Sequence, residues 1–175
     1  MLSVWSGVLA GLCIVLTGMV EAVTGETAAT SVVIGLSPAF ALPLLVALHL
    51  RQQATTGEVA YTVNLIGLGL FGGVTFTLNM VFFYIDKPVL PSQTTVAFLG
   101  SALVFAIGSV LFGIAMLRAG VHPKAPAIAY MVAFPLLAVA ARLPDTPLTS
   151  AVHVIAGGSL VWLALAMIRQ PLRTS

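Results

Sequence analysis

Long apolar runs separated by short polar breaks fill this chain almost from end to end. They cover residues 4–23, 31–50, 59–84, 95–117, 127–141 and 148–168. Most are close to the roughly 20 residues that an α-helix needs to cross a bilayer. Hydrocarbon offers no partner for backbone N–H and C=O groups, so spans of this kind must be helical. The pattern predicts a single all-α domain over residues 1–175, a polytopic transmembrane bundle of six spans. The fifth run is short and carries Pro135 near its middle. Were it not to cross, the C-terminus would change sides.

Composition points the same way. Only 7% of residues are Asp, Glu, Lys or Arg against 59% hydrophobic, and the mean hydropathy is +1.12. So few charges could not cover the surface of a water-soluble domain. The single cysteine, Cys13, rules out an intrachain disulfide and any CxxC motif. Leu9-Ala10-Gly11-Leu12-Cys13 approaches a lipoprotein cleavage box, but Leu12 separates the small residue from the cysteine. Basic residues before the apolar core are missing as well. Neither lipidation nor a cleaved signal peptide is expected.

Charge gives an orientation. With six crossings, one side holds Arg51, Arg118, Lys124, Arg169 and Arg173, with Glu58 its only acid. The other holds Lys87 and Arg142 with Glu21, Glu26, Asp86 and Asp145. Five basic residues against two follow the positive-inside pattern and put both termini in the cytoplasm. Those basic residues form no continuous patch, which argues against a nucleic-acid partner and suits anionic membrane lipids. Trp5, Tyr61 and Tyr84 fall near span ends, as an aromatic belt would place them.

Spans two, four and six leave the membrane as Ala47-Leu48-His49-Leu50-Arg51, Ala115-Met116-Leu117-Arg118 and Ala166-Met167-Ile168-Arg169. Arginines beside lipid phosphates and a helix C-terminal dipole account for this without a two-helix repeat. The strong inverted symmetry of many transporters is missing. Pro38 and Pro43 in the second span each remove a donor and free a carbonyl one turn earlier. The kinked stretch is therefore expected to face protein rather than lipid.

Three seams of small or polar residues emerge at helical spacing. Gly7, Gly11, Gly18 and Glu21 share a face of the first span, suited to close helix approach within or between chains. Asn64, Gly72, Thr75 and Asn79 share a face of the third span, next to the glycine-rich Gly67-Leu68-Gly69-Leu70-Phe71-Gly72-Gly73. They read as interhelical hydrogen-bonding groups or as one wall of a polar pathway. In the sixth span Thr149, His153 and Gly157 recur every fourth residue. His153 is the one histidine well inside a span, with Glu21 and Arg142 as candidate partners on its side.

No cofactor or metal is expected. His49 and His122 belong to the opposite side from His153, and no HxxxH, HExxH or histidine–carboxylate cluster occurs. GxSxG, Walker and dinucleotide fingerprints are also missing. The connection Leu117-Arg118-Ala119-Gly120-Val121-His122-Pro123-Lys124-Ala125-Pro126 resembles one common in small uncharacterised bacterial multi-pass membrane proteins. That resemblance implies a bacterial inner-membrane setting and transfers no catalytic residue.

The expected function is a non-enzymatic accessory subunit or assembly factor of a larger membrane complex, acting with a membrane-protein partner or as a homo-oligomer. A small transporter or permeation module built on Asn64, Thr75, Asn79 and His153 is the alternative. An intramembrane lipid-modifying enzyme is a further one.

Overall fold

The computed structural model describes residues 1–52, 57–85, 90–140 and 146–169. All regular structure among them is helical. The elements are α1 (Leu2–Thr24), α2 (Ala28–Gln52), α3 (Glu58–Phe76), α4 (Ser92–Ala119), α5 (Lys124–Ala140) and α6 (Pro147–Arg169). Each coincides with one of the apolar runs. The main departure lies in α3, which leaves α geometry after Phe76 and continues through a π turn, Thr77–Val81, and a 3-10 turn, Phe82–Tyr84.

Five of these segments are long and apolar enough to cross a membrane: α1, α2, α3 with its continuation, α4 and α6. The 17 residues of α5 span about 25 Å at 1.5 Å per residue, a little under a typical hydrocarbon thickness. The protein is thus an all-α transmembrane helical bundle.

Local chemistry sets several helix ends. Gly25 (φ 69°) closes α1 and donates its N–H to the Glu21 carbonyl at 3.0 Å. Gly120 (φ 66°) closes α4 in the left-handed region, which only glycine enters cheaply, and donates to Met116 at 3.2 Å. α2 and α6 start in matching boxes. The Thr27 N–H donates to Thr30 Oγ1 (2.9 Å) and the Thr30 N–H to Thr27 Oγ1 (3.2 Å). Thr146 and Thr149 repeat the pair at 2.8 and 3.2 Å. Each box satisfies donors that a helix start leaves orphaned.

The helices pack in chain order, and α6 closes back on α1. Neighbours run antiparallel throughout. Gly7 meets Leu44, His49 stacks on Tyr61, Gly67 meets Phe105, Phe105 touches Phe134, and Gly11 meets Gly157. This alternation brings the start of α1 and the end of α6 to the same end of the bundle. Arg51, Arg118, Lys124 and Arg169 gather at that end, at helix ends or starts.

Among the described residues, large apolar side chains fill the middle of the ring. Leu44, Leu48, Phe105, Phe112, Met116 and Leu163 are among its fully buried side chains. Phe105 stacks on Phe71 at 4.7 Å and meets Phe134 edge-on at 5.8 Å. Ala41, Leu44, Leu45, Leu48, Leu68, Phe105, Tyr130, Phe134 and Leu160 line a cavity of about 10 Å³ at the centre. That is barely room for one water, and its walls are apolar.

Candidate functional site

Two side-chain hydrogen bonds serve the proline stretch of α2. Pro38 cannot donate to the Ile34 carbonyl, and the hydroxyl of the preceding Ser37 takes that acceptor at 2.9 Å. Ser6 of α1 donates to the Phe40 carbonyl at 2.6 Å. The expectation that this stretch faces protein holds only in part. Pro38 lies against Gly72 of α3, whereas Pro43 is exposed.

The polar face of α3 divides between two neighbours. Asn64 is fully buried and turns to α4 and α5: its Nδ2 donates to the Tyr130 hydroxyl at 2.7 Å. Ser109 donates to Asn64 Oδ1 at 3.2 Å. This contact needs a close crossing of α3 and α4, and glycine supplies it twice. A Cβ on Gly108 would stand 2.5 Å from the Asn64 Cα, and one on Gly67 2.6 Å from the Phe105 Cα. At the other end of α3, Thr75 donates to the Phe71 carbonyl (2.9 Å) and Asn79 to the Thr75 carbonyl (2.8 Å). Asn79 and Met80, in the π turn, lie against Gly35 of α2. Asn64 and Asn79 therefore serve different interfaces and do not line one common wall.

The first-span seam is an α1–α2–α6 junction. Gly7 meets Leu44, Gly11 meets Gly157 and Val161, and Gly18 meets the Cβ of His153. Gly72 meets Pro38, while Gly69 and Gly73 face outward with open space over them. His153 is half-buried, and its Nδ1–H donates to the Thr149 carbonyl one turn back at 2.8 Å. Glu21 continues the α1 seam beyond Gly18 and is half-buried. Arg142, the other proposed partner of His153, lies outside the described residues.

A polar cluster missed in the sequence sits at the end of the bundle where α2 stops. Arg51 donates to the Met167 carbonyl of α6 at 2.8 Å, serving an acceptor in that helix's last turn. His122, buried in the α4–α5 connection, donates its Nε2–H to the Leu48 carbonyl at 3.2 Å. Burial holds the His122 imidazole below its usual pKa; the Leu48 carbonyl opposes this, and the Arg51 charge adds to it. His49 stacks on Tyr61 with 4.0 Å between centroids and an interplanar angle of 5°. Gln52 is buried beside Gly57. Among the described residues no three His, Cys, Asp or Glu side chains gather as a metal site would require.

Some signals for these contacts were present in the sequence. Ser37 immediately precedes Pro38, and Thr-x-x-Thr-Ser occurs at both 27–31 and 146–150. Nothing local marks Tyr130 or Ser109 as partners of Asn64. The chain matches no protein-family model, no curated protein and no solved structure.

Proposed function

We propose that this chain is a non-enzymatic scaffold in a membrane assembly, an accessory subunit or assembly factor of a bacterial plasma membrane. The observation that carries this reading is the filled ring. Its centre has room for about one water, and Asn64, Thr75, Asn79 and His153 all hydrogen-bond within the chain. Such a body offers packing surfaces to a partner. Gly69 and Gly73 on the outer face of α3 leave room for another helix to approach. Both termini lie in the cytoplasm on this reading, on the strength of the positive-inside charge split.

Native mass spectrometry of the tagged protein after mild-detergent extraction tests the proposal. A stoichiometric assembly with other membrane proteins is expected, and recovery only as the free chain would overturn it. Reporter fusions at residues 1 and 175 test the orientation: both must report cytoplasm.

One observation favours a permeation module assembled from several copies. The π turn at Thr77–Val81 lies against the Pro38 side of α2, and π turns recur at functional sites. Single cysteines at Thr75 and Asn79 in a Cys13→Ser background separate the readings. Protection from aqueous thiol reagents at both positions fits a scaffold; labelling at both fits a pathway.

A further inference from the structure

Two prolines each remove a backbone donor from α2, and side chains make good only one of the losses. Pro38 has no amide for the Ile34 carbonyl, and the Ser37 hydroxyl takes that acceptor at 2.9 Å. Pro43 has none for the Ala39 carbonyl, and the residue before it is Leu42, which has no donor to lend. Among the described residues no side chain donates to Ala39. The Ser6 hydroxyl of α1 serves the next carbonyl, that of Phe40, at 2.6 Å. Ala39 and Pro43 are both exposed, one turn apart on the outer face of α2. They lie in mid-span, with Ala39 roughly 16 Å from the start of the helix and roughly 20 Å from its end. The comparable carbonyl below Pro135 belongs to Met131, a residue packed on Gly113 of α4.

Hydrocarbon at that depth offers a carbonyl no donor. A lipid chain over this face therefore leaves the acceptor unserved. A second copy brings no donor to the same depth. Thr62 and Trp162, the deepest exposed donors among the described residues, stand only four and seven residues from helix ends. Leu36 and Ala39 leave an apolar face with a small residue at its centre, where another helix can come close. We propose that the Leu36–Ala39–Pro43 face of α2 docks a transmembrane helix of another protein, which donates a Ser, Thr, Asn or Gln side chain to the Ala39 carbonyl. This rests on the scaffold reading and names what its partner carries.

A photoreactive phenylalanine in place of Leu36 tests the face in native membranes, beside a second probe in place of Leu70 on α3. The adduct expected from Leu36 maps to a transmembrane segment of another protein, within one helical turn of a Ser, Thr, Asn or Gln. Adducts only with lipid, with a second copy or with a span lacking such a residue overturn the proposal. Pro43→Ala adds a readout that packing alone would not move. It returns an amide to the Ala39 carbonyl, so the free chain should unfold about 3 °C higher in detergent. Affinity for the partner should fall roughly 3- to 20-fold, because the donated hydrogen bond is no longer needed. Unchanged affinity, or a loss in both measurements, overturns the proposal; if the variant fails to fold, the adduct map decides. The scaffold reading fails separately, when native mass spectrometry finds only the free chain. A stoichiometric assembly with adducts from Leu70 alone keeps that reading and strikes this face.

Discussion

Gly11 of α1 and Gly157 of α6 face each other so closely that a methyl group on either would run into the carbonyl oxygen of the other. Between antiparallel spans in lipid, such contact supplies dispersion that larger residues would forbid. The junction continues through Gly18 against His153, so one glycine face orients the span that carries the in-membrane histidine.

Gly11→Ala is therefore expected to destabilise by about 1–3 kcal/mol, the usual range for overpacking. Gly69→Ala is the matched control, because nothing lies within 4 Å of its added Cβ. It should be neutral or stabilise by up to about 1 kcal/mol through helix propensity. Thermal unfolding in detergent reads both. Equal effects at the two positions would contradict the close crossing.

The Asn64–Tyr130–Ser109 cluster ties α3, α5 and α4 together. Tyr130→Phe removes one hydroxyl and leaves Asn64 Nδ2 short of its acceptor. A loss of about 0.6–1.7 kcal/mol is expected, the range for hydrogen bonds between membrane helices. A cycle with Asn64→Leu should show coupling of similar size; additive losses would mean that the 2.7 Å contact contributes nothing.

Ser37 and Pro38 make a conditional prediction. Ser37→Ala alone strands the Ile34 carbonyl that Pro38 leaves without an amide donor and should cost about 1 kcal/mol. With Pro38→Ala in the same chain, the amide returns and the cost of losing Ser37 should largely vanish. The comparison is internal, so any separate effect of Pro38→Ala on α2 cancels.

His122 gives the protein a pH dependence with a definite sign. Burial holds its folded-state pKa below 6.5, so the unfolded chain takes up the proton first. Stability is full above about pH 6.5 and falls as pH drops through the window between the unfolded and folded values. His122→Gln, which retains a donor for the Leu48 carbonyl, should flatten this part of the profile. Unfolding midpoints between about pH 8 and 5 check it; an unchanged slope in the variant would assign the effect elsewhere.

The sequence by itself determined that the chain lives in a membrane, where its helices lie and that they alternate in direction. Those properties are local: hydrocarbon tolerates only internally bonded backbone, so an apolar run of sufficient length becomes a helix whatever it packs against. Its charge split also groups Arg51, Arg118, Lys124 and Arg169 on one side, and the fold places them at one end. Tertiary structure alone decided how each helix is rotated about its axis. These spans are apolar nearly all round, so no hydrophobic stripe marks the inner face. Rotation is set instead by small residues on the neighbour and by hydrogen-bond partners far away in sequence. Asn64 and Asn79 share a face of the third span in the sequence, yet Gly108 and Tyr130 claim one while Gly35 claims the other, in the π turn after α3. Gly11 packs inside the chain against Gly157, while Gly69 faces outward with nothing opposite it.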